Sequence, residues 1–170
     1  MGFESKILSR ELSTLLWDLE KTVGTAESCT GGRVAEAFVS VPGASKYFKG
    51  GIVCYTDEVK HNILKVDNTT LAEKTAVSEE VAVEMVKGAC KVLGTDYALA
   101  TTGYAGPTAG DDGTPVGTIW VACGTVDNVK TKKLTEDLGR DRNLEAATTA
   151  VMQMLYEILK EQIDADEDKV

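Results

Sequence analysis

Between Ser5 and Glu20, apolar side chains recur at Ile7, Leu8, Leu12, Leu15, Leu16 and Leu19, the spacing that lays one apolar stripe along a helix. An amphipathic packing helix is predicted there. Thr22 to Ala26 predicts a short strand that feeds a turn of small residues, and Arg33 to Val39 a helix broken by Pro42-Gly43. Gly51 to Tyr55 predicts a second strand and Glu58 to Leu64 a short helix. Ser78 reads as the N-cap of a long helix to Leu93, with Glu79 and Glu80 favourably placed in its first turn. Asp96 to Thr102 is a nearly continuous apolar run between polar residues, as expected of a central strand covered on both faces. Val116 to Ala122 and Val129 to Leu134 predict a hairpin across Val126-Asp127-Asn128, and Asn143 to Lys160 a closing helix.

Strands alternating with helices, then a hairpin and a last helix, predict a three-layer α/β fold with a mixed sheet. At 170 residues the chain has the size of one domain. Hydrophobic residues make up 43% and charged residues 26%, ordinary for a soluble globular protein, and no apolar run approaches the roughly 20 residues that span a bilayer. Met1 to Lys6 lacks the basic and apolar regions of a secretory leader, so a cytoplasmic location is expected. The net charge is −9, and the acids of Asp164 to Asp168 read as a frayed, solvated end. Such a surface repels a phosphate backbone, which argues against a nucleic-acid partner while leaving room for a small anion in a donor-rich pocket. Cys29, Cys54, Cys90 and Cys123 form no CxxC pair, so zinc and redox-dithiol readings are poor and most are expected to be buried apolar residues.

The chemistry concentrates at Thr25-Ala26-Glu27-Ser28-Cys29-Thr30-Gly31-Gly32. A serine on a turn of small residues before a helix sits among outward-pointing N–H groups that can hold an anion or a developing oxyanion. The chain has a single histidine, His61, so a Ser/His/Asp arrangement has one candidate and lysine becomes the base of interest. Lys60 would have to be desolvated to be neutral near pH 7, since its ordinary pKa is ~10.4. Three loops at strand ends are expected to converge: Ser28 to Gly32, Tyr55 to Lys60, and the glycine-rich Gly103-Tyr104-Ala105-Gly106-Pro107. Plainer readings stand beside each of these. Ser28 could be a turn or cap residue, Lys60 a surface lysine, Tyr55 a half-buried aromatic and Asp57 a helix N-cap; against these, the Tyr55 phenol could relay a proton or hold the lysine amine in line, and Cys29 is a rival nucleophile. His61, next to Lys60, is expected to point elsewhere, as a surface histidine.

Ala26 to Gly32, Tyr55 to Lys60, Ala76-Val77-Ser78-Glu79, and Gly103 to Pro107 followed by Pro115-Val116-Gly117-Thr118 closely resemble the CinA C-terminal domain family, from about Leu12 to Leu159. The resemblance implies a three-layer α/β/α sandwich on a mixed, mostly parallel five-stranded sheet, as a single domain over 1–170 with a core of about 12–159 and an acidic tail over 161–170. It implies hydrolysis of nicotinamide mononucleotide to nicotinic acid mononucleotide and ammonia, with Ser28, Tyr55 and Lys60 as catalytic residues and neither metal nor cofactor. The substrate-binding positions it suggests are Cys29, Thr30, Gly31, Gly32, Thr102, Gly103, Ala105, Gly106 and Arg142, with Thr30 or an arginine, Arg140 or Arg142, at the phosphate. Homodimers or larger assemblies are expected, and the length leaves no room for the extra N-terminal domain of larger members. A non-catalytic nucleotide-binding paralogue is the alternative. Asp57 departs from the asparagine common in the family and would raise the Lys60 pKa if close.

Overall fold

The computed structural model describes residues 2–167. The elements run α1 (Phe3–Asp18), β1 (Val23–Glu27), α2 (Arg33–Val39), a 3-10 turn (Ala44–Lys46), β2 (Phe48–Val53), α3 (Asp57–Leu64), α4 (Asn68–Lys74), α5 (Glu79–Leu93), β3 (Tyr97–Gly103), β4 (Ile119–Gly124), β5 (Val129–Leu134) and α6 (Arg140–Glu167). The five strands form one sheet in the order β2-β1-β3-β4-β5. β1 lies parallel to both β2 and β3, while β4 is antiparallel to β3 and to β5. Only β4 therefore runs against the rest, although the pairings divide evenly between parallel and antiparallel.

Strand alternation sends side chains to two separate cores. On β3, Tyr97 and Leu99 join Leu12, Leu16, Phe38 and Leu155 of α1, α2 and α6. Ala98 and Ala100 face the other way, onto Leu64 of α3 and Val81, Met85 and Ala89 of α5. The sheet is thus sandwiched between two helical layers. Phe38, fully buried, stacks on Phe48 with ring centroids 5.4 Å apart, which anchors α2 to the edge strand beside the serine turn. On the opposite face, Gly88 of α5 lets α3 approach so closely that a Cβ there would collide with the Leu64 carbonyl.

Several expectations move. Ser78 caps α5 as anticipated, accepting from the Val81 N–H. The second strand starts earlier, at Phe48, and ends at Val53, so Tyr55 lies beyond it. α4 was not anticipated, and it buries none of its residues. α6 starts at Arg140 and continues to Glu167, so the chain past Lys160 is helical where a frayed end was expected. Tyr97 Oη donates to Gln162 Oε1 at 2.7 Å and Lys130 pairs with Glu161, contacts that hold this last stretch against the sheet. Asp168 of the acidic tail lies outside the described residues. Among the described residues, no helix is long and apolar enough to cross a membrane.

Candidate active site

Ser28 follows directly on β1, with 7% of its surface exposed. Its N–H donates to Thr101 O at 2.9 Å and its carbonyl accepts from Gly31 N–H at 3.2 Å, so the turn is fixed to the neighbouring strand. Glu27, the last residue of β1, is 1% exposed and accepts four hydrogen bonds. Its Oε2 takes the Thr30 hydroxyl at 2.7 Å, Gly32 N–H at 2.9 Å and Val34 N–H at 3.1 Å, and its Oε1 takes Ala35 N–H at 2.8 Å. The start of α2 is thereby capped by a carboxylate of the protein's own. Gly31 and Gly32, with φ of 59° and 105°, adopt the left-handed conformation this tight entry needs.

These bonds narrow the expected oxyanion cradle. Gly31 and Gly32 have their N–H groups committed. Among the described residues, the Cys29 and Thr30 N–H groups make no backbone or side-chain hydrogen bond, and they are the donors left beside the serine. A donor on the residue after a nucleophile is the usual geometry for a serine on a strand-to-helix turn.

Lys60 comes from α3, where it occupies the inward face with Leu64, one turn on. It is 1% exposed. Its Nζ donates to Ser28 Oγ at 3.0 Å and to Cys54 O at 3.1 Å, which reverses the surface-lysine reading. Burial lowers its pKa below the ordinary lysine value, with Cys54, Asp57 and Cys29 acting in the opposite sense. Asp57 Oδ1 lies 3.9 Å from the same Nζ, in a pair exposed only on the aspartate side. Asp57 is not the N-cap of α3. Thr56 holds that position, with extended φ and ψ and a side chain that accepts from Val59 N–H, leaving Asp57 in the first turn and directed to Lys60.

Tyr55 differs from expectation. It is 60% exposed, because the chain has already left the sheet, and among the described residues its hydroxyl makes no hydrogen bond to Ser28 or Lys60. His61 is spoken for elsewhere, with Nδ1 2.8 Å from Val66 O and Nε2 3.2 Å from Asn68 Nδ2. Burial pushes the Cys29 thiol up to about 12, so it is held protonated, and it is Ser28 that touches the lysine.

The glycine loop is nearby but tied down by packing. Thr102 is 1% exposed and gives its hydroxyl to Ala76 O at 2.7 Å, on the face of the sheet that α3 and α5 cover. A Cβ on Gly103 would strike β4 at Ile119, and one on Gly106 would strike Val116. Ala105 O accepts from Asn143 Nδ2 at 3.1 Å and Gly106 O from Arg140 Nη1 at 2.6 Å. Arg140 is thus the arginine that reaches this loop. Arg142 instead lines a separate cavity of about 760 Å³ with Ile7, Leu8, Leu138 and Gln153, because residues two apart on a helix face nearly opposite ways. Tyr104 sits close enough to Asp112, Asp111 and Asp57 that their charges add to burial in raising its phenol, which gives this flank an acidic rim.

Sequence reasoning missed Glu27, Thr101 and the Cys54 carbonyl. The available signal was a carboxylate closing an otherwise neutral strand just before a helix start. Among the described residues, no group of three or more His, Cys, Asp or Glu side chains is placed to hold a metal ion.

The sequence and the fold recur in known proteins. The model of the CinA C-terminal domain matches residues 5–159. A CinA-like protein of Flavobacterium psychrophilum is 40% identical over 162 residues, 94% of this chain and 39% of that protein. The chain spans about two-fifths of the length of the curated relatives it matches. Among solved structures, the competence damage-inducible protein A (ComA) of Klebsiella pneumoniae superposes with a TM-score of 0.89 at 35% identity, covering 92% of this chain and 97% of that one. The competence/damage inducible protein CihA of Agrobacterium tumefaciens gives 0.89 at 33% identity, covering 94% and 98%. With the family model over most of its length and relatives of the same name at this identity, the chain belongs to the CinA C-terminal domain family.

Proposed function

We propose that the chain is an amidohydrolase that converts nicotinamide mononucleotide to nicotinic acid mononucleotide and ammonia. The observation that carries the reading is the 3.0 Å contact between buried Lys60 Nζ and Ser28 Oγ, since a hydroxyl beside a lysine of lowered pKa is an activated nucleophile. The substrate comes from the resemblance borne by Ser28, Tyr55, Lys60 and the glycine loop.

In this mechanism Ser28 Oγ attacks the carboxamide carbon while its proton passes to neutral Lys60. The oxyanion meets the Cys29 and Thr30 N–H groups. Lys60 returns the proton to the leaving nitrogen, ammonia departs, and an acyl ester remains on Ser28. Water gives a proton to Lys60 and attacks the ester carbon, and the serine oxygen leaves with the proton that Lys60 holds. Tyr55 borders the substrate and carries no proton, since its hydroxyl has no bond to the pair. Arg140, beside Gly106, is the arginine assigned to the phosphate in place of Arg142. The mechanism calls on no cofactor. We place the reaction in the cytoplasm, in a homodimer or larger assembly; four buried free cysteines fit a reducing compartment.

Ammonia release from nicotinamide mononucleotide tests the reading. The wild type is expected to yield one ammonia per nucleotide consumed, and Ser28→Ala and Lys60→Ala to lose about 10³-fold or more in kcat. Tight nucleotide binding by the wild type with no ammonia would make the chain a non-catalytic binding paralogue.

A further inference from the structure

We propose that Glu27 is a positioning residue: its buried carboxylate fills the N-terminus of α2 as an internal anion and thereby holds the Cys29 and Thr30 N–H groups free and fixed beside Ser28. The first N–H groups of a helix have no carbonyl partner within it and need acceptors from elsewhere. Here Glu27 takes the Gly32, Val34 and Ala35 N–H groups and the Thr30 hydroxyl, all within 3.1 Å. Four donors, three of them at a helix N-terminus, are what lets a charged group sit at 1% exposure.

The network extends across the sheet. Because the Thr30 hydroxyl donates to Glu27, its 2.7 Å contact with Thr101 Oγ1 has Thr101 as donor. Ser28 N–H is held by Thr101 O on the same strand. The carboxylate therefore ties the residue after Cys29 to β3, and the two unused N–H groups lie between fixed points on either side. Lys60 is reached from another element and shares none of these bonds, so Glu27 acts on the carbonyl side of the reaction and not on the base.

The inference rests on the amidase reading for its substrate, but on serine acyl transfer alone for its test. Glu27→Gln keeps the shape while turning an amide NH₂ toward N–H groups that the carboxylate accepted. The expected result is a kcat lower by about 10- to 100-fold, below the loss for deleting an oxyanion donor outright, with KM within about threefold and the pH midpoint of the rate unmoved. A lowered melting temperature with kcat per folded site unchanged would overturn the proposal, as would a displaced pH midpoint. If Glu27→Gln does not fold, Thr101→Val removes only the hydroxyl that fixes Thr30, and a kcat lower by roughly three- to tenfold at constant KM is expected; an unchanged kcat overturns the proposal. Should the wild type release no ammonia from any pyridine carboxamide, the amidase reading fails separately. The p-nitrophenol burst from p-nitrophenyl acetate then decides: a burst rate lower in Glu27→Gln by the same factor upholds the positioning role, and equal bursts reject it.

Discussion

The two segments that meet at the candidate site are built in opposite ways. The serine turn is held by its own strand, by β3 and by the Glu27 carboxylate, so that Ser28 has little freedom. The Tyr55–Lys60 segment leaves the sheet early, exposes Tyr55 and Asp57 by more than half, and buries Lys60 fully with Val59 packed in part beside it. One segment fixes geometry through many bonds, and the other sets protonation through burial and a single partly exposed charge. Substitutions in the first are expected to change turnover at constant pH behaviour, and those in the second to change pH behaviour.

The sharpest break of that contrast is Lys60→Met, which removes the base while keeping an apolar stem. Turnover is expected to fall by about 10³-fold. Stability carries a second signature. Burial lowers the folded-state pKa of Lys60, so the unfolded chain binds that proton more tightly. Wild-type stability contributed by this group therefore rises as pH climbs from the lowered folded value to the unfolded ~10.4. Lys60→Met lacks that slope, and its melting temperature relative to wild type should be most favourable near neutral pH and decline toward pH 10. Thermal melts across this range check both sign and window.

Gly88→Ala attacks the same segment from behind. An alanine in a helix interior ordinarily stabilises by about 1 kcal/mol over glycine, but here its Cβ meets the Leu64 backbone at the end of α3. A net loss of roughly 2–3 kcal/mol is expected, measurable by denaturant titration, together with a lower kcat as α3 and Lys60 shift. A stabilised variant of normal activity would show that α3 is not clamped this way.

Asp57→Asn should act on pH alone. Its carboxylate, 3.9 Å from Lys60 Nζ, favours the protonated lysine, so removing it should move the midpoint of the rising limb of kcat/KM to lower pH. The rate below the midpoint should rise roughly threefold, with the plateau unchanged. A midpoint that stays in place would mean that solvent screens this half-exposed charge completely. The smallest effect is expected from Tyr55→Phe, within about twofold in kcat, since the hydroxyl has no bond to lose at the pair. A large loss would restore it as a proton carrier.

How much of this was legible from residues alone follows the same divide. α2 and β5 lie over Arg33–Val39 and Val129–Leu134, where the patterns put them: α2 shows one apolar face in Val34, Ala37 and Phe38, while β5 was marked by the turn residues before it, its two apolar side chains, Val129 and Leu134, facing opposite cores. α4 buries no residue and so left no stripe to read. The glycines at 50 and 51 hid the start of β2, since they add no side chain to the alternation. The convergence of Ser28 with Lys60 could be suspected from strand ends and the shortage of histidine. That a lysine fills an inward position of α3, or that Glu27 turns back onto α2, depends on contacts that local periodicity does not encode. Arg140 and Arg142 were indistinguishable until the helix phase was known.

The most direct test of the lysine-activated serine is covalent labelling with a fluorophosphonate, followed by peptide mass spectrometry over a pH series. The adduct is predicted on Ser28, at a rate that rises with pH through the titration of Lys60 and is lost in Lys60→Ala. An adduct on Cys29 or Tyr55, or Ser28 labelling that is indifferent to Lys60, would contradict it.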